Sequence, residues 1–148
     1  MASSWRRAFM HTVWATWDRL PLLTPPAASI AYATFAAQAR RLHCETLAIG
    51  GTENHVHVLW AMHPSASYAA VVRAMKSASS HNVRRAAPSE VPFRWQGGYA
   101  ALTVSREQCQ PVIEYIHRQR EHHADGAGLR DEWEPTLCAD FPDDDDDT

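Results

Sequence analysis

A chain of 148 residues, 45% apolar and 21% charged, has the size and makeup of one globular domain. Its net charge of −3 conceals an asymmetry: Asp140 and Asp143 to Asp147 put six acids in the last ten residues, while residues 1–138 carry fourteen basic residues against eleven acidic ones. Cys44, Cys109 and Cys138 form no C-x-x-C pair and no apolar run approaches about 18 residues, which excludes a zinc knuckle, a disulfide framework and a membrane span. A soluble, cytoplasmic domain over residues 1–138 is expected, followed by a solvated, disordered acidic tail over 139–148.

Arg6 and Arg7 precede an apolar stretch that His11 interrupts and Asp18 and Arg19 end, without the cleavage site of a signal peptide. His11–Asp18 instead has strand-forming residues and reads as a first strand. Thr24 can cap a helix whose first turn holds Pro25 and Pro26 and which runs from about Ala27 to His43. Cys44–Gly50 reads as a second strand, Gly51-Thr52-Glu53-Asn54 as a turn, and His55–Ala61 as a third strand, together an antiparallel hairpin. Ser67 can cap a helix over about Tyr68–Arg85 with Val71, Val72 and Met75 on its apolar side. Pro88 and Pro92 mark a loop, and Gly98–Ser105 a fourth strand. Ser105 and Gln108 have capping-box spacing before a last helix, which admits Pro111 only near its start and runs to about His123. The order β-α-β-β-α-β-α predicts an α+β fold of ferredoxin-like or RRM-like kind, an antiparallel sheet with helices packed on one face. Such a sheet can present a face to nucleic acid.

Two pairs of residues carry chemistry. His55 and His57 alternate on a strand, so both imidazoles project to one face and can share a divalent metal, while Val56 and Val58 face a core. Nine histidines in 148 residues make one H-x-H pair unremarkable alone. Tyr115 and Gln119, four residues apart on a helix, also share a face. Combined, two neutral imidazoles and an amide oxygen leave open metal positions for water and a phosphate oxygen, beside a phenol able to attack phosphorus.

The segments GTENHVHVLWAMHP, WQGGYAALTVS and YIHRQREHH, in this order, resemble the single-tyrosine HUH transposases of bacterial insertion sequences and their relatives associated with repetitive extragenic palindromes. The resemblance spans roughly residues 8–123. It implies that His55, His57 and Gln119 bind Mg²⁺ or Mn²⁺ and that Val56 is the apolar residue between the histidines. It further implies that Tyr115 is the nucleophile, and that the protein is a homodimer acting on single-stranded DNA with hairpins through a 5′-phosphotyrosine. The chain departs from the family in having Arg118 before Gln119, where Asn is common, fewer basic residues after the first strand, and a short acidic C-terminus.

Arg73, Lys76, Ser77, Ser80 and Arg84 on the helix after His57 form a candidate phosphate-contacting surface, with a solvated helix face as the alternative. Trp95, in a loop, is the candidate for base stacking, whereas Trp14, Trp17 and Trp60 are expected in the core. His11 on the first strand is a candidate to approach the site, with a satisfied sheet histidine as the preferred reading, and His122 and His123 read as DNA contacts or a helix end. Histidine-triad nucleotide hydrolases need a third histidine where Leu59 stands. The remaining alternatives are a catalytically inactive hairpin-binding module and a purely structural α+β domain with an adventitious metal site.

Overall fold

Four strands, β1 (Ala8–Ala15), β2 (Glu45–Gly51), β3 (His55–Met62) and β4 (Ala100–Val104), make one antiparallel sheet in the order β2-β3-β1-β4. Helices α1 (Pro25–Arg41), α2 (Tyr68–Ala86) and α3 (Cys109–His117) complete the expected α+β order. The computed structural model describes residues 7–119; the acidic tail, His122, His123 and the rest of the expected last helix lie outside them.

Local chemistry sets the helix ends. Thr24 accepts a hydrogen bond from the Ala27 N–H at 3.4 Å, with Pro25 and Pro26 in the first turn, and Ser67 accepts from the Ala70 N–H at 3.1 Å. After α1 the chain reverses through His43 at φ 62, and the Cys44 N–H returns 2.8 Å to the Ala39 carbonyl, a left-handed C-cap. Ser105 caps nothing through its side chain; a short 3-10 turn over Arg106–Gln108 leads into α3 instead, so the capping-box spacing is not used. Pro111 sits near the start of α3, where its missing N–H costs no helical bond.

The sheet has two different faces because strand side chains alternate. Met10, Trp14, Val56, Val58 and Trp60 point to one side, against Ala31 and Phe35 of α1 and Val71, Val72 and Met75 of α2. Trp14 meets Phe35 edge-on at 5.2 Å between ring centroids. The other face carries Phe9, Leu59 and Ala61, covered by Val112 and Ile116 of α3. Thus α1 and α2 share the face that the sequence assigns to helices, and α3 crosses the opposite one.

Gly50 sits opposite His57 in the β2–β3 register. A Cβ there would collide with the backbone carbonyl of Ile116, so a glycine is what lets α3 lie directly on the sheet. β1 ends three residues short of the expected Asp18. Thr16 turns its hydroxyl to the carbonyls of Leu20, at 2.6 Å, and Asn54, at 3.1 Å, and the chain leaves the sheet. Trp17 consequently lies on the surface and not in the core where the sequence reading put it.

Gly50→Ala should destabilise the fold by about 1–3 kcal/mol, the range for forcing volume into a filled contact. A urea unfolding curve measures it as a lower midpoint, and a variant as stable as the parent would contradict the close approach of α3.

Candidate active site

His57 is fully buried on the α3 side of β3, its register partners Val13 on β1 and Gly50 on β2. One diagonal step along β1 lies His11, also fully buried, whose Nε2 is 2.8 Å from His57 Nδ1. The expected satisfied sheet histidine is therefore satisfied by His57. A contact between two ring nitrogens at this distance carries one proton, so the tautomer of each ring depends on the other. With the proton on His57 Nδ1, His57 Nε2 keeps its lone pair.

His55 is oriented from the β2–β3 turn. Its Nδ1 lies 2.9 Å from both Thr52 Oγ1 and Asn54 Oδ1. The Thr52 hydroxyl donates its proton to Asn54 Oδ1 at 3.0 Å, so both oxygens face the ring as acceptors. That places a proton on His55 Nδ1 and, in the neutral ring, a lone pair on Nε2.

From α3, Tyr115 sets its ring edge-on to His57 with 5.8 Å between centroids. Gln119 follows one turn later. Its Nε2 donates to the Tyr115 carbonyl at 3.4 Å, which turns Oε1 toward His55 Nε2 at 3.3 Å. All four side chains are buried, Tyr115 at 4% and Gln119 at 1% exposure.

The chemistry of this donor set fits a cation. An imidazole lone pair and an amide oxygen that face each other at 3.3 Å in a water-poor site repel unless a positive charge or a second proton lies between them. Among the described residues no group of three His, Cys, Asp or Glu side chains could hold a metal ion, and the oxygen donor beside the two imidazoles is the Gln119 amide. The amide oxygen is a donor of the kind Mg²⁺ and Mn²⁺ take, while the two imidazoles also suit softer divalent ions. At the start of the same helix, burial and then the Glu107 carboxylate push the pKa of the Cys109 thiol up, which disfavours the thiolate.

Residues 4–119 match the family model described as "Transposase IS200 like". The chain belongs to the IS200-like transposase family. Its activity class is that of a transposase acting on DNA. Two of the solved structures that share the fold are transposases. One is a putative transposase from Deinococcus radiodurans, with a TM-score of 0.64, 24% identity, and 80% of this chain and 95% of that chain covered. The other is the REP-associated tyrosine transposase bound to a REP hairpin, with a TM-score of 0.61, 16% identity, and 95% of this chain and 81% of that chain covered. No curated protein matches the chain.

The remaining site candidates of this IS200-like transposase lie on the other side of the sheet. Trp95 is buried at 7%, its ring between Phe93, Trp14 and Phe35 and its N–H on Ser79 Oγ at 2.9 Å. A base-stacking role for Trp95 is corrected accordingly: its ring faces are filled by the core. Lys76 donates to the carbonyls of Gln96, at 2.9 Å, and Gly98, at 3.0 Å, and ties down the loop before β4, where Gly98 itself needs its φ of 78. Arg84 donates to the Phe93 carbonyl at 3.1 Å and Ser80 to the Ser77 carbonyl at 3.1 Å. Arg73 and Ser77 are exposed on α2. Ser77, Ser80 and Arg84 border an open groove of about 550 Å³ between α1 and α2, with Arg41, His81 and Asn82. No helix among the described residues is long and apolar enough to cross a membrane.

Thr52 and Asn54 were missed in sequence. Thr52 and Asn54 look like ordinary turn residues, and their acceptor geometry at His55 exists only once the hairpin closes.

Proposed function

We propose that this IS200-like transposase is a single-tyrosine strand transferase. It cuts and rejoins single-stranded DNA at hairpins through a 5′-phosphotyrosine, with Tyr115 as nucleophile and Mg²⁺ or Mn²⁺ held by His55, His57 and Gln119. The observation that carries this reading is the convergence of two imidazoles, an amide oxygen and a phenol in one buried spot of one chain, with the His55 and Gln119 acceptor atoms facing each other at 3.3 Å.

The bound metal would supply Lewis acidity to the phosphodiester and offset charge in the transition state. The residues do the rest. Tyr115, whose ordinary pKa is about 10, gives up its phenolic proton, and its oxygen attacks phosphorus. The bond to O3′ breaks, the 3′ oxygen takes up a proton, and the 5′ phosphate stays esterified to Tyr115. Attack by a new 3′ hydroxyl reverses the step, forms a DNA phosphodiester and frees the tyrosine. The ester conserves bond energy that a water-activating nuclease would lose. His11, Thr52 and Asn54 hold the two imidazoles in the tautomers that ligation needs.

The hairpin reading draws on the fold likeness to a transposase solved on a REP hairpin, as well as on the groove beside Ser77, Ser80 and Arg84. Arg73 and Lys76 belong to the same α2 surface. Phosphate contacts there would position a duplex stem while the opposite face handles the single strand. The family resemblance also carries a homodimer, which light scattering reads directly. The resemblance to transposases of bacterial insertion sequences also carries a cytoplasmic location.

The test mixes the full chain with end-labelled hairpin oligonucleotides, Mn²⁺ or EDTA, on a denaturing gel. A covalent protein–DNA band is expected with Mn²⁺ only, and Tyr115→Phe should abolish it while retaining hairpin binding. A band of wild-type intensity in Tyr115→Phe would remove the nucleophile assignment, and binding without any band would favour an inactive hairpin-binding module.

The metal reading makes a separate prediction for His11. His11→Leu should stay folded and weaken Mn²⁺ binding in calorimetry by about 10- to 100-fold, the range for losing an outer-shell partner. His11→Gln, which keeps an acceptor, should lose less. Equal Mn²⁺ affinity in His11→Leu and the parent would show that His57 does not depend on His11.

A further inference from the structure

After Ala15 the chain makes a 3-10 turn over Trp17–Arg19 in which Asp18 and Arg19 both stand at φ 52. Two consecutive non-glycine residues in left-handed backbone are costly and persist only where surroundings enforce them. Here the enforcement comes from the loop before β4. The Trp17 N–H donates to the Arg94 carbonyl at 2.9 Å and the Asp18 N–H to Gln96 Oε1 at 3.0 Å.

The turn sets Trp17 out in solvent at 40% exposure, whereas Trp14, Trp60 and Trp95 are all buried. The guanidinium carbon of Arg94 lies 3.9 Å from the centre of the Trp17 ring. One indole face thus carries a cation, and the side chain remains open to water.

Its place in the fold adjoins the catalytic residues. Trp95, the residue after Arg94, bridges Thr16 where the chain leaves β1. Ala15, two residues before Trp17, is the register partner of His55, and the Thr16 N–H donates to the carbonyl of Asn54 at 2.9 Å.

We propose that Trp17 and Arg94 form a binding platform for single-stranded DNA: one unpaired base stacks on the indole, and the guanidinium meets a neighbouring phosphate of the strand that leads to Tyr115. An aromatic face with an adjacent arginine accepts any unstacked base, while a duplex keeps its bases stacked on each other and offers none. The platform thereby selects for single-stranded substrate beside the scissile phosphate. This inference rests on the strand-transferase reading above.

The test measures fluorescence anisotropy of two labelled probes, a blunt hairpin and the same hairpin with a single-stranded extension, on full-length Tyr115→Phe protein so that nothing turns over. Adding Trp17→Ala should weaken binding of the extended probe by roughly tenfold, the loss of about one stacked base. The blunt hairpin should bind as before. Trp17→Phe should recover most of the loss, and Arg94→Gln should reduce the salt dependence of binding to the extended probe by about one ion. Equal affinity of Trp17→Ala and its parent for the extended probe, or equal losses on both probes, overturns the platform and leaves the strand-transferase reading standing. Failure of the Tyr115→Phe parent to bind either probe overturns both. Thermal melts by circular dichroism confirm that each variant is folded, as substitution of an exposed side chain requires.

Discussion

A slip of one residue in the pairing of β3 with β1 would turn His55 and His57 into the α1–α2 core and bring Val56, Val58 and Trp60 out under α3. The register Val13 with His57 and Ala15 with His55 is therefore the constraint on which the site depends. It is held from the core side. Trp14, Val56, Val58 and Trp60 are buried against α1 and α2, and each would have to leave that packing for the histidines to move. A hydrophobic core on one face thus fixes the polar chemistry on the other, and the apolar residue between the two histidines is part of the anchor.

What the register places, a buried polar network orients. His11 faces His57, Thr52 and Asn54 face His55, and the Tyr115 carbonyl sets the Gln119 amide. In a site nearly closed to water each contact is stronger than on the surface, and each unmet one is costlier. That is why the facing acceptors of His55 and Gln119 weigh so heavily. Two facing acceptors in an interior need a positive charge or a second proton between them. Gly50 completes the arrangement, since any side chain there would lift α3, and Tyr115 with it, off the sheet.

Much of this was legible in sequence because it follows from short-range periodicity. The i, i+2 spacing of His55 and His57 and the i, i+4 spacing of Tyr115 and Gln119 put each pair on one face, and the order of strands and helices carried the fold class. What was not legible depends on how distant segments meet. Trp95 in a loop looked available for stacking, yet the bridge between Thr16 and Trp95 folds it into the core. Trp17 looked like a strand residue, yet the strand ends at Ala15 because Thr16 uses its hydroxyl on loop carbonyls. Lys76 and Arg84 also hold backbone carbonyls of the loop before β4, a tie that local spacing does not reveal. Each of these features depends on a partner from another segment of the chain.

The two faces of the sheet thus divide the work, one supplying stability and a basic groove, the other the buried constellation. The measurement closest to the central claim is a crystal of this protein soaked in Mn²⁺, with data collected for anomalous scattering. The account predicts a manganese peak at bonding distance from His55, His57 and the Gln119 amide oxygen, beside the Tyr115 hydroxyl. A well-occupied manganese elsewhere on the protein with none at this position would contradict it.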